Sequence, residues 1–187
     1  MEERTPNVKR QISPAFKVSS VAILTAITAV FTLVVRIPIA PTRGYINLGD
    51  VAIYFTAFTL GPITAMIAGA LGTGLADIIG GYPQWSIISF FIHGIQGFAV
   101  GAVMRGAIGL TEQQTKLSRV RILIAGLLGT SIMVLLYYLA GAAMSGFGPA
   151  LAEIPGNIIQ NVVGVVGGLL LTRAIYRAYP PVRDFYW

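Results

Sequence analysis

The sequence predicts an all-α polytopic membrane protein, a six-transmembrane-helix bundle with both termini cytosolic. Three observations predict it. Of 187 residues, 55% are hydrophobic and only 11% charged, with a mean hydropathy of +0.76, whereas a soluble domain of this length carries about 25% charged residues. Apolar runs near the ~20 residues that a spanning helix needs recur along the chain. Clusters of Gly and Pro separate them. The length suits one helical domain without a separate soluble module.

Residues 1–16 read as a flexible cytosolic tail, too long and too polar before the first apolar run for a cleaved signal peptide. The spans follow as 17–36, 45–61, 62–80, 84–105, 119–144 and 150–175, within a membrane domain of 17–179. Residues 180–187 then form a cytosolic C-terminal tail. Breaks fall at Arg36–Pro38 with Pro41, Gly61-Pro62, Gly80–Pro83, Thr111–Ser118, Gly146–Pro149 and Tyr179–Pro181. The second span is short, and a re-entrant segment is the alternative.

Charge decides between them. With six spans and the N-terminus inside, the inner segments hold Arg4, Lys9, Arg10 and Lys17, then Arg105, Lys116, Arg119 and Arg121, then Arg173, Arg177 and Arg183. Only Arg36 and Arg43 lie outside, as the positive-inside rule requires. A merged 45–80 span distributes the cations less well and is thirty-six residues long. Cytosolic retention of Lys and Arg also accounts for the net charge of +6 and the pI near 9.9, so no nucleic-acid partner is expected. The absence of cysteine excludes disulfides, thiolate metal sites and Cys nucleophiles.

This orientation gathers the polar residues toward the outer side. His93 lies nine residues into the fourth span, about 13 Å down, and shares a face with Ser86, Ser89 and Gln96. Asp77 sits one turn below the outer end of the third span, and Asp50 opens the second just after Asn47. Glu153, Asn157 and Asn161 form an i, i+4, i+8 stripe on the sixth. Tyr137, Tyr138 and Ser145 fall in the outer half of the fifth. Tyr82 and Trp85 stand at the mouth, as interfacial anchors or as stacking rings.

Ionisable residues at membrane depth usually face the bundle interior or a cavity. Polarity confined to one half suits binding, because a channel continues its polar lining across. Each residue also has a structural role open to it. Asp50 serves as a helix cap, Asp77 as a partner of the Gly80-Gly81 turn, Glu153 as a complement to a helix dipole and His93 as a packing residue. Asn157 and Asn161 make the strongest case, since two carboxamides in a membrane stripe require partners.

Small residues at spacings of three and four, such as Gly69, Thr73 and Gly74 or Gly164, Gly167 and Gly168, allow close helix packing. Ala22 and Ala26, in the cytosolic half of the first span, suit either packing or a membrane partner. No G-x-x-x-x-G-K-[ST] loop is present, so the chain does not itself energise transport with ATP. Gly69–Gly74 lies within a span and is no nucleotide loop. One His without Cys, and no HExxH, speak against a metal site. No Ser-His-acid set is evident, so no catalytic residue is assigned. An intramembrane enzyme acting through His93 with Asp77 or Glu153, and a membrane scaffold, are the alternatives from other classes.

The stretch Tyr45-Ile-Asn-Leu-Gly-Asp50 with its apolar run to Leu60-Gly-Pro62, and Ile67–Asp77 followed by Gly81-Tyr82-Pro83 and Trp85, resemble the substrate-binding S components of energy-coupling factor (ECF) vitamin transporters. The likeness covers residues 20–177 and is greatest to the riboflavin-type group that includes the pyridoxine and hydroxymethylpyrimidine subfamily. It implies a six-helix subunit of a prokaryotic plasma membrane that captures a water-soluble vitamin from outside. Pyridoxine or hydroxymethylpyrimidine is expected, with riboflavin or pantothenate as alternatives.

The resemblance further implies a membrane coupling (T) protein, docked on Ala22 and Ala26, and two cytosolic ABC-type ATPases that use ATP and Mg, with no cofactor in this chain. It makes residues 36–47 a lid and transport a toppling of the subunit. Asn47, Asp50, Asp77, Tyr82, Trp85, Ser89, His93, Tyr138, Glu153, Asn157 and Asn161 are the expected substrate-binding residues.

Overall fold

Helix α1 (Pro14–Val34) begins where the Ser13 hydroxyl accepts the Phe16 N–H at 3.2 Å, with Pro14 in the first helical position. It therefore starts three residues ahead of the expected span, because hydropathy does not register a cap. The computed structural model describes residues 13–106 and 118–185. The expected tail up to residue 12 and all of the Thr111–Ser118 break except Ser118 lie outside them.

The chain then makes an element that the all-helical expectation lacked. Strand β1 (Arg36–Ile39) pairs antiparallel with β2 (Gly44–Asn47), Arg36 opposite Asn47 and Ile39 opposite Gly44. Pro38 and Pro41 exclude a helix here, and a two-stranded ribbon tolerates Pro38 because both strands are edges. The hairpin takes Tyr45 to Asn47 out of the expected second span. Helix α2 (Gly49–Thr59) has only 11 residues, about 16 Å of rise or half the ~30 Å hydrocarbon core.

Among the described residues, five other segments are long and apolar enough to cross a membrane. They are α1, α3 (Pro62–Gly80), α4 (Pro83–Arg105), α5 (Arg119–Ser145) and the run Phe147–Ala178, made of the one-turn α6 (Phe147–Ala150) and α7 (Glu153–Ala178).

The short α2 lies inside the bundle, against α1, α3, α4 and α7. Its Thr56 and Thr59 hydroxyls donate to the Ala52 and Phe55 carbonyls, both at 2.7 Å, so these buried polar groups are satisfied within the helix. Tyr54 and Phe58 pack with Val100, Val103 and Ala125 in the main apolar cluster. Glycines let the neighbours close in. A Cβ on Gly168 would fall 2.7 Å from the Tyr54 Cβ, and one on Gly101 would fall 2.5 Å from the Pro62 Cα. The small-residue positions of the third and sixth spans are thus internal packing. Ala22 and Ala26 are exposed, so packing within the bundle does not use them.

The C-terminal segment also departs from expectation. A 3-10 turn (Pro180–Asp184) carries Phe185 back onto the bundle, its ring centroid 4.9 Å from that of Phe16. This contact sets the start of α1 and the end of α7 at one end of the molecule. The hairpin closes the other end.

Candidate ligand-binding site

Beneath the hairpin, α1, α3, α4, α5 and α7 each contribute to one polar cavity of about 20 Å³. That volume is about what one water needs, so a ligand the size of an aromatic ring requires the hairpin to move. The wall includes Asp77, Ser89, His93, Tyr137 and Glu153 from the helices and Tyr45 and Asn47 from β2.

Asp77 reaches the cavity from the last turn of α3. Its backbone carbonyl accepts the Tyr82 N–H at 2.8 Å in the helix-ending turn, where Gly81 has φ +86°. Its side chain does not serve that turn. Oδ1 accepts the Tyr45 hydroxyl at 2.5 Å, and Oδ2 is buried without a hydrogen-bond partner among the described residues. A buried carboxylate oxygen of this kind is the most ligand-ready atom of the site.

His93 stands deeper, and its tautomer follows from its neighbours. The Gln96 Nε2 donates to Asp50 Oδ1 at 2.7 Å and Asn161 Oδ1 at 2.8 Å, so the Gln96 Oε1 is left to accept from His93 Nδ1, 2.8 Å away. The other ring nitrogen, Nε2, then accepts the Tyr137 hydroxyl at 3.2 Å, and Tyr137 in turn accepts from Ser89 at 2.7 Å. The imidazole is a link in a directed chain from the cavity wall to the floor.

Asp50 anchors the floor. It is fully buried; besides Gln96 it accepts the Gln160 Nε2 on Oδ2 at 2.5 Å, and His93 Nδ1 lies 3.8 Å from its Oδ1. Asp50 therefore ties α2 to α4 and α7 and does not cap its own helix, whose start carries no side-chain cap from it. Gln160 continues upward, its Oε1 accepting the Asn47 N–H at 2.7 Å. The hairpin is held at three further points. Trp85 Nε1 donates to the Arg43 carbonyl at 3.2 Å, the Thr42 hydroxyl donates to Glu153 Oε1, and the Tyr45 ring centroid lies 4.5 Å from that of Tyr82. Arg43 itself has φ +53°, so the turn carries backbone strain.

With that geometry in place, the kinship is clear. The family model for the S component of ECF-type riboflavin transporters matches residues 15–177. This chain belongs to that S-component family. A protein of Pyrococcus woesei without an assigned function is 38% identical over 142 residues, 75% of this chain and 89% of its own length. The thiamine precursor transporter HmpT of Lactococcus lactis subsp. cremoris is 33% identical over 162 residues, 86% of this chain and 88% of its own. A solved S component of a bacterial ECF transporter superposes with a TM-score of 0.64 at 18% identity, over 89% of this chain and 98% of that one. The protein is accordingly a multi-pass membrane transport subunit of vitamin type rather than an enzyme.

In this S component the expected residues fall into three groups. Asn47, Asp77, Trp85, Ser89, His93 and Glu153 line the cavity, and Tyr82 packs on Tyr45 of the hairpin above it. Asp50 and Asn161 lie below it. The Asn161 oxygen accepts Tyr54 and Gln96, while its amide donates to the Met133 sulfur and the Asn157 carbonyl, so protein already supplies the partners that a ligand was expected to provide. Asn157 is buried near them, with its Nδ2 unpartnered among the described residues.

Tyr138 is the misplaced expectation. It packs toward Phe147 at 6.3 Å, and its neighbour Tyr137 takes the cavity position. Tyr45, Thr42 and Gln160 went unrecognised, because nothing in their spacing announces a hairpin register. Arg36, a candidate counter-charge for an anionic ligand, is occupied by the Gly80 carbonyl at 2.6 Å.

Proposed function

We propose that this S component captures a small heteroaromatic vitamin or vitamin precursor from the outer side, hydroxymethylpyrimidine first and pyridoxine second. The observation that carries the reading is Asp77, whose buried Oδ2 has no hydrogen-bond partner among the described residues, in a cavity walled by Ser89, His93 and Tyr137. An aminopyrimidine presents an exocyclic amino group, whose N–H the open Asp77 Oδ2 can accept. The ring's hydroxymethyl arm finds donors and acceptors in Ser89 and Glu153, and Tyr45 and Trp85 offer faces to its plane. The similarity to a thiamine precursor transporter supports this choice.

Riboflavin is the second reading, favoured by the family's own description. The closed cavity of about 20 Å³ admits neither its tricyclic ring nor a pyrimidine, so size does not choose between them, and the likeness to a thiamine precursor transporter favours the smaller one. Pantothenate is less suited, because its carboxylate would meet Asp77 and Glu153 with Arg36 already engaged.

Capture is one step of import. The family implies that a membrane coupling protein, docked on the exposed Ala22 and Ala26, and two cytosolic ATPases complete the transporter. ATP and Mg would be used there, and this chain would need no cofactor. Toppling of the whole subunit would deliver the ligand, which fits polarity confined to one half of the bundle. The test is to denature the purified chain, identify any released small molecule by mass spectrometry, and titrate hydroxymethylpyrimidine, pyridoxine, riboflavin and pantothenate by calorimetry. Tight one-to-one binding of either of the first two upholds the reading; binding of riboflavin or pantothenate alone overturns it.

A further inference from the structure

A second concavity lies at the opposite end of the molecule, on the lipid-facing side between α5 and α7. It encloses about 480 Å³, and its walls include Leu123, Leu127, Val162 and Val166, all more than half exposed. Gly126 forms part of its lining, so the α5 backbone leaves room there. One end of the slot is marked by Arg119 at the start of α5 and Arg173 near the end of α7. Both are exposed, and neither forms an ion pair among the described residues. The other end is marked by Thr130 and Val162.

Geometry and charge together specify an occupant. From Arg119 to Thr130 and from Val162 to Arg173 the antiparallel helices each rise about 16 Å, close to the depth of one leaflet of a ~30 Å core. The two arginines sit at the cytosolic end by the positive-inside rule. An apolar slot one leaflet deep, with two exposed guanidinium groups that make no ion pair among the described residues at the cytosolic headgroup level, complements an anionic phospholipid. Its acyl chain would lie along Leu123, Leu127 and Val166, and its phosphate between Arg119 and Arg173.

We propose that this slot is a binding site for one anionic phospholipid of the cytoplasmic leaflet. The site lies across the molecule from the ligand cavity and does not depend on which vitamin is bound.

The test uses the full chain in nanodiscs of mixed phosphatidylglycerol and phosphatidylcholine, released for native mass spectrometry. One retained phosphatidylglycerol per chain is expected, preferred over phosphatidylcholine by about twenty-five-fold, two near-surface cation contacts of roughly fivefold each. Equal retention of the two lipids overturns the proposal. The Arg119→Gln/Arg173→Gln variant should lose the preference, and a variant that keeps it overturns the proposal as well. A phosphatidylglycerol carrying a photoreactive acyl chain gives a readout free of any variant. Labelling concentrated on the Leu123–Leu127 and Val162–Val166 segments is expected; labelling spread evenly over the bundle, or displaced when a coupling protein is added, reassigns the slot to bulk lipid or to a protein partner.

Discussion

The Tyr45 hydroxyl, on the second strand of the lid, donates to Asp77 Oδ1 at 2.5 Å, on the last turn of α3. The carboxylate that best suits a ligand is thereby occupied on one oxygen by the lid itself. In the proposed capture, a ligand that also engages Oδ1 displaces Tyr45, which would couple capture to movement of the hairpin.

That latch is pH-dependent in a defined sense. Burial, reinforced by the adjacent Asp77 carboxylate, holds the Tyr45 ionisation well above the ordinary tyrosine range. With the lid open, the hydroxyl is hydrated and titrates near ~10. A raised value in the closed state means that the latch contributes fully below about pH 10 and is lost as pH rises through and beyond it. The open-to-closed ratio gains about tenfold per pH unit there. Trp85 emission, sensitive to the bond with Arg43, should stay level up to about pH 10 and change above it. Tyr45→Phe should abolish the dependence and speed ligand association about tenfold at neutral pH. An unaltered pH profile in the variant would remove Tyr45 from the latch.

The two adjacent tyrosines of α5 give a sharper contrast. Tyr137 bonds Ser89 and His93 in the cavity wall, whereas Tyr138 packs toward Phe147. Tyr137→Phe is expected to weaken ligand binding about tenfold, and Tyr138→Phe to leave it within about twofold. Calorimetry on the two variants decides, and the reverse order would contradict the site as described.

Gln96 holds the floor together. Its Nε2 serves both Asp50 and Asn161 and its Oε1 serves His93, so Gln96→Leu strands a carboxylate oxygen in the bundle core. A loss of about 3 kcal/mol is expected in equilibrium unfolding from mixed micelles. Adding Asp50→Asn should recover about 1 kcal/mol of it, since the two residues are coupled. A change below about 0.5 kcal/mol would mean that the network is not structural.

These contrasts also mark what the sequence makes legible. Asp77, His93 and Glu153 stand out because ionisable groups in apolar runs demand a reason, and the structure brings them to one cavity. Asp50 stands out equally, yet burial beneath Gln96 and Gln160 makes it a strut, a distinction that depends on contacts more than forty residues apart in sequence. Tyr137 and Tyr138 differ by one position, or about 100° of helix rotation, and an apolar fifth helix exposed to lipid on most sides carries no stripe to choose between them. The hairpin was hidden because Tyr45 to Asn47 continue the hydropathy of α2, while the pairing with Arg36 to Ile39 is a tertiary fact. The half-length α2 follows from the same cause.

The most direct measurement is calorimetric titration of hydroxymethylpyrimidine into the purified chain and its Asp77→Asn variant, with thermal melts to confirm that both are folded. One-to-one binding to the unmodified chain, weakened about a hundredfold in the variant, is the predicted result. Equal affinity of the two proteins, or heat only with riboflavin, would contradict the assignment of Asp77 as the residue that reads a small heteroaromatic ligand.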